Sequence, residues 1–191
     1  MIISLLAVSG DSIITPLKTI TTSFPCESIS VMSIDTFLVG THDDPRPVHT
    51  VTVQGQEGDV QHRSLPNKTY KLGDSKSTFV QHEKTVIITD RFAHKVLMFS
   101  LETGWSTSVE DDMIVQPAGV SGWGILGSMF VCSLKTDSIV QLSARGEVVK
   151  AHSAGMRQPF AISVSIDGRH MVMSNNIKDK EPTIKLFRVN Y

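Results

Sequence analysis

Gln116-Pro117-Ala118-Gly119-Val120-Ser121 returns forty-two residues later as Gln158-Pro159-Phe160-Ala161-Ile162-Ser163. At the same interval Gly104, which follows the apolar run Lys95–Ser100, returns as Gly146 after Ser138–Ser143. Two matches made by different residues at one period mark an internal repeat. Such a repeat constrains the fold more than composition does, because each unit is one supersecondary motif that buries its apolar face only by stacking on its neighbours.

Thr85–Gly104 is the clearest copy of the unit. Its runs Val86-Ile87-Ile88 and Val96-Leu97-Met98-Phe99 are too short for helices and rich in β-branched or aromatic residues, so both read as strands. Neither alternates apolar with polar, which predicts a sheet covered on both faces. With the period in hand the hairpin is found four times. Its first strands are Thr36–Gly40, Thr85–Thr89, Met129–Ser133 and His170–Ser174, and its second strands Val48–Val53, Lys95–Ser100, Ser138–Ser143 and Thr183–Val189. Another strand precedes each pair, at Ser28–Ser33, Thr78–His82, around Gly119–Ser121 and at Phe160–Ser165, joined by tight turns such as Asp167-Gly168. A weaker outer strand follows, as at Val60–Leu65 and Glu147–Ala151.

Four antiparallel strands per unit, apolar inside and more polar outside, make the blade of a β-propeller. The predicted fold is all-β: a partial or small propeller of about four four-stranded blades, with almost no helical patterning. Residues 1–23 read as the end of an incomplete blade, with strands in Ile2–Val8 and Ser12–Thr22. Residues 24–66, 67–114 and 115–156 read as whole blades, and 157–191 as a three-stranded last one.

Composition narrows the function classes. A net charge of −1 gives no pull toward nucleic acid or an anionic membrane. Cys26 and Cys132 form no C-x-x-C pair, which excludes a zinc-finger or RING-type site in these residues and fits buried thiols in a reducing compartment. Met1–Val8 lacks the basic flank of a signal peptide and reads as a strand, and no run approaches a membrane span. The expected localisation is cytoplasmic, with the sequon Asn67-Lys68-Thr69 an exposed turn.

Val86–Gly104 carries an apolar strand ending in Asp90, a short link with His94-Lys95, a second strand ending in Phe99, and a closing glycine. In this it resembles the NHL repeat, and the starts at Pro117 and Pro159 fit the opening of the same repeat. The likeness runs from Phe24 to Tyr191 and is sharpest in Thr85–Gly104; Thr41, Ser133 and Ser174 stand where the other copies would carry the strand-ending Asp. The nearest look is the C-terminal propeller of tripartite-motif-type proteins. That resemblance implies a propeller usually of six blades, more than this length holds. It also implies a recognition surface for proteins in some members and RNA in others, with ubiquitin-ligase activity belonging to a RING that these residues do not contain. The expected function is therefore a non-catalytic protein-binding module.

In a propeller the links between second and third strands gather on one face with the links between blades. That places His42-Asp43-Asp44-Pro45-Arg46, Arg91-Phe92-Ala93-His94, Lys135-Thr136-Asp137, Asn175–Glu181 and Arg157 together. The candidate partner-binding residues are Arg46, Arg91, Phe92, His94, Lys135, Arg157 and Lys178, led by Arg91 and Phe92, a cation beside an aromatic. The plainer alternative folds Phe92 back over the blade edge. Asp90 reads as a turn-holding residue, and Trp105 and Trp123 as packing residues.

RNA binding is disfavoured because Asp43, Asp44, Asp90, Asp137, Asp179 and Glu181 offset the cations of the same loops. A calcium-dependent lactonase-type propeller would need converging carboxylates and an Asn; Asn175, Asn176 and Glu83 are the right types without a motif. Ser128 and Ser133 lack a nucleophile elbow, so no catalytic residue, metal or cofactor is assigned. A protein partner is expected, with self-association through open blade edges if the ring is not closed.

Overall fold

The computed structural model describes residues 2–41, 44–61, 65, 76–123, 127–165, 167–175, 177 and 181–189. Lys178, His42, Asp43, Asn176, the 67–69 sequon and the side chain of Trp123 lie outside the described residues. The described residues form seventeen strands and no helix.

A hairpin of β1 (Ile2–Val8) and β2 (Ile14–Thr21) comes first. The first blade is β3 (Cys26–Val31), β4 (Thr36–Thr41), β5 (Val48–Thr52) and β6 (Glu57–Asp59). The second is β7 (Ser77–Val80), β8 (Thr85–Asp90), β9 (Lys95–Ser100) and β10 (Ser106–Glu110). The third is β11 (Pro117–Trp123), β12 (Ser128–Ser133), β13 (Ser138–Leu142) and β14 (Val148–Ser153). The fourth has three strands, β15 (Pro159–Val164), β16 (His170–Asn175) and β17 (Ile184–Arg188). Within each sheet neighbouring strands pair antiparallel in chain order, and the four sheets after the hairpin are the blades of a β-propeller.

The repeat seen in the sequence is a repeat of backbone. Gln116 and Gln158 both take a left-handed conformation (φ 55° and 50°), as do Gly104 and Gly146 (φ 72° and 83°). Each inner strand of the first, third and fourth blades is bulged just after it begins, between Cys26 and Ser28, Pro117 and Val120, and Pro159 and Ala161. A bulge adds twist, which sheets fanned around an axis need. One outer strand departs from expectation: in the first blade it is β6, not 60–65. Thr52 N–H donates to the Gln56 carbonyl (2.9 Å) and Gly55 sits at φ 90°, so the chain reverses at once and pairing begins at Glu57.

The core lies between sheets rather than within one layer. Ile3 and Leu5 of the hairpin pack with Phe24, Val39 and Val51 of the first blade. Leu38 and Val48 pack with Phe79, Val86, Ile88 and Phe99 of the second. Ile87, Val96 and Met98 of the second meet Met129, Val131, Val140 and Leu142 of the third. Phe130, Cys132 and Ile139 of the third meet Met171 and Met173 of the fourth. Successive strand residues point to opposite faces, so β8, buried along its whole length, feeds two of these cores at once. This is why its sequence shows no alternation.

Candidate functional site

Near the axis the blades are tied by short side chains. Ser77 N–H donates to Ser28 Oγ (2.9 Å), Thr89 Oγ1 to the Ala118 carbonyl (2.8 Å), and Val164 N–H to Ser121 Oγ (3.1 Å). Gly119 allows the third and fourth blades to approach: a Cβ there would stand 2.6 Å from the Phe160 carbonyl oxygen. The starts of the inner strands pair with the ends of the second strands (Cys26 with Thr41, Pro117 with Ser133, Pro159 with Asn175). The links that enter each blade therefore share one face with the turns 91–94 and 134–137.

That face is fixed by hydrogen bonds. Asp90 is buried, and its Oδ1 accepts the Ala93 N–H (2.9 Å), the turn-holding role expected of it. Ser133, at the same place in the third blade, holds both the 134–137 turn through Thr136 (2.7 Å) and the incoming link through Val115 N–H (2.9 Å). His94 Nδ1 accepts the Gln116 N–H (2.9 Å), and Asp137 Oδ1 accepts the Gln158 N–H (2.7 Å). Each is a left-handed turn residue of one blade latching the left-handed glutamine that opens the next. His94 thus enters the surface as a structural acceptor.

The other candidates divide. Phe92 stands 50% exposed, not folded over the blade edge, and Met113, on the link beside it, is also exposed. Lys135 and Arg157 are exposed on the next turn and link. Arg91 is half-buried with its Nε shielded from solvent, so it is less a free fork than a packed base for the turn. Arg46 is exposed but closed into ion pairs with Asp44 (3.2 Å) and Asp59. The carboxylates Asp111 and Asp137 are turned to backbone N–H groups of the links, yet their charge remains and tempers the cations.

Two clusters were not visible in the sequence. At the axial mouth Lys76 Nζ donates to the carbonyl oxygen and Oε2 of Glu27 (2.9 and 3.0 Å) and lies 5.4 Å from the centre of the Phe160 ring. First, second and fourth blades meet there. In the first blade His49 is buried, stacked on Phe24 (4.5 Å between centroids), with Nε2 3.3 Å from Asp44 and Nδ1 3.1 Å from Asp59. Burial of the Asp44 carboxyl, which alone would raise its pKa, is outweighed by hydrogen bonds from Arg46 and by the nearby His49 ring, and it is held down at about 2. Packing between blades brings Lys76 to Glu27 and Phe160, and the register of β5 with β6 brings Asp59 to His49, so neither pairing is announced by a linear pattern.

Other expectations concern chemistry the surface could have carried. Glu83 sits in the 81–84 turn, at the opposite end of its blade from the strand-ending position of Asn175, whose Oδ1 accepts the Thr183 N–H (2.8 Å). Glu83 and Asn175 therefore do not converge, and among the described residues no three His, Cys, Asp or Glu side chains are grouped to hold a metal ion. Cys132 is fully buried, and burial pushes its thiol up to about 12, as expected of an inert core cysteine. Trp105 packs against the core between the second and third blades, with the Arg145 guanidinium 5.6 Å from its ring centre. No helix of the described residues is long and apolar enough to cross a membrane.

The fold and its loop face define the class: a β-propeller. No family model matches the chain, and no curated protein matches it. Solved structures do. The hydrazine synthase of Kuenenia stuttgartiensis is 14% identical, with a TM-score of 0.64 over 88% of this chain and 47% of that one. A protein of unknown function from Desulfotomaculum acetoxidans DSM 771 is 13% identical, with a TM-score of 0.69 over 99% of this chain and 59% of that one. A streptogramin B lyase is 15% identical, with a TM-score of 0.59 over 88% of this chain and 57% of that one. At these identities the likeness is one of fold. The chain spans about half the length of the propeller chains it matches.

Proposed function

We propose that this propeller is a non-catalytic protein-binding module of NHL type, the recognition part of a tripartite-motif-like protein, acting in the cytoplasm. The observation that carries the reading is Phe92: a half-exposed aromatic on a turn pinned by Asp90 on one side and His94 on the other. A large side chain held in place loses little entropy on binding, which is what makes aromatic anchors disproportionately strong. Met113, Lys135 and Arg157 extend the surface with one apolar and two cationic contacts. The mixed charge of the loops favours a protein over a polyphosphate.

The test is comparative affinity capture from cell extract, with binding constants measured for the partners recovered. Phe92→Ala should weaken a specific partner by roughly thirtyfold, the loss of about 2 kcal/mol typical of an anchor. Lys135→Ala should act more weakly. His82→Ala, exposed in a turn at the other end of its blade, should leave binding unchanged. Partners indifferent to both loop substitutions would overturn the reading. Tight binding of single-stranded RNA with a steep salt slope, lost in Lys135→Ala, would replace it with RNA recognition.

A further inference from the structure

One run of hydrogen bonds carries the Phe92 face across two blade boundaries. His94 Nδ1 accepts the Gln116 N–H (2.9 Å), which ties the 91–94 turn to the link that enters the third blade. Lys135 N–H donates to the Val115 carbonyl (3.2 Å) and Leu134 N–H to the Gln116 carbonyl (3.3 Å), so the same link is joined to the 134–137 turn. Asp137 Oδ1 then accepts the Gln158 N–H (2.7 Å), which ties that turn to the link entering the fourth blade. Phe92 lies two residues before His94, Met113 two residues before Val115, and Arg157 directly before Gln158. One hydrogen-bonded strip of backbone therefore carries four exposed side chains in the order apolar, apolar, cation, cation.

Charge on this face is not evenly available. Arg46 and Lys76 are closed in ion pairs with Asp44, Asp59 and Glu27, which occupies those carboxylates as well. Asp90, Asp111 and Asp137 turn their carboxylates to backbone N–H groups. Lys135 and Arg157 are exposed and enter no ion pair among the described residues. Exposed carboxylates stand at the flanks, on Glu110 and Asp112 beside Met113 and on Glu181 in the link from β16 to β17. Asp137, between the two cations, keeps its charge although its oxygen is engaged. Attraction is therefore strong for a carboxylate in direct contact with Lys135 or Arg157 and weak at a distance.

We propose that this strip recognises an extended, acidic peptide segment, with an apolar residue on Phe92 and Met113 and carboxylates on Lys135 and Arg157. The inference rests on reading the Phe92 face as a protein-binding surface, and it names the chemistry of the partner. Packed sheets stand about 10 Å apart and an extended chain advances about 3.3 Å per residue, so the acidic position falls about three residues from the apolar anchor. Asp112 repels an acid placed directly beside that anchor, which makes the spacing a specificity element. The anchor supplies most of the affinity, and the charge contacts fix the register. Two cations satisfy one or two carboxylates, whereas a polyphosphate needs a sustained basic field.

Selection of random peptides displayed on phage against the full 191-residue chain tests this. The enriched peptides should pair an aliphatic or aromatic residue with Asp or Glu about three residues away. Made as fluorescein-labelled peptides, they should bind Phe92→Ala roughly thirtyfold more weakly. Lys135→Glu or Arg157→Glu should cost about fivefold to tenfold, because an exposed pairing becomes a repulsion. A peptide with its acids exchanged for lysine should instead bind Lys135→Glu better than the parent. Both cations are exposed, so circular dichroism should show the charge-reversed variants folded. On the parent chain itself, affinity for the acidic peptides should fall as NaCl rises from about 50 to about 500 mM. Peptides that need Phe92 but carry no acidic residue, or carry basic ones, would overturn this inference and leave the Phe92 surface standing. Peptides indifferent to Phe92→Ala, or no enrichment at all, would overturn both.

Discussion

A left-handed residue ends each turn between second and third strands of the middle blades and holds the first residues of the next blade: His94 at φ 56° through Nδ1, Asp137 at φ 51° through Oδ1. The two side chains differ in every property except an acceptor at the right reach. If that acceptor is what matters, His94→Asp should stay within about 0.5 kcal/mol of the parent, while His94→Ala should lose about 1 kcal/mol, the net worth of one hydrogen bond. Urea midpoints of the two variants measure this; equal losses would show that the ring itself, not the acceptor, stabilises the link. Asp90 could be understood from its own neighbourhood, since its partner Ala93 is three residues away. His94 could not, because its partner lies twenty-two residues on, in the link that enters another blade. Separation across blades likewise hid Lys76 beside Glu27 and Phe160, whereas His49 lies five residues from Asp44 and ten from Asp59 in one blade.

Blades were legible where the period repeats with its turn chemistry, and not where one copy improvises. Gly104 and Gly146 were matched by sequence alone, and both close the turn from third to fourth strand in a left-handed conformation. Their surroundings differ. A Cβ on Gly104 would meet nothing within 4 Å, whereas one on Gly146 would stand 2.8 Å from Val109 Cγ2 and 3.1 Å from Met98 Sδ of the preceding blade. Gly104→Ala should therefore cost only the backbone strain of a left-handed alanine, about 1 kcal/mol. Gly146→Ala adds a clash with the second blade and should cost roughly 2 to 4 kcal/mol. Thermal melts read the difference as a larger drop in Tm for Gly146→Ala, by several degrees in a chain of this length. Equal shifts would mean the turn moves away from its neighbour at no cost. The outer strand of the first blade shows the opposite case: the sequence has apolar residues at Val60 and Leu65, but the reversal at Gly55 spends the pairing on Glu57, Gly58 and Asp59 before them.

Across the molecule stability is shared between neighbours, since each sheet buries apolar surface only against the one before and the one after. The second and third blades have a neighbour on both sides, and their central strands show it: β8 is buried throughout and β12 at all but its first residue. β2 and β17 lie at the ends, exposed at most positions or on one face. Amide exchange should follow this gradient. Protection is expected to be greatest in β8 and β12, lower in β4 and β16, and least in β2 and β17, where opening breaks contacts on one side only. Uniform protection would show instead that the sheets open as one cooperative unit.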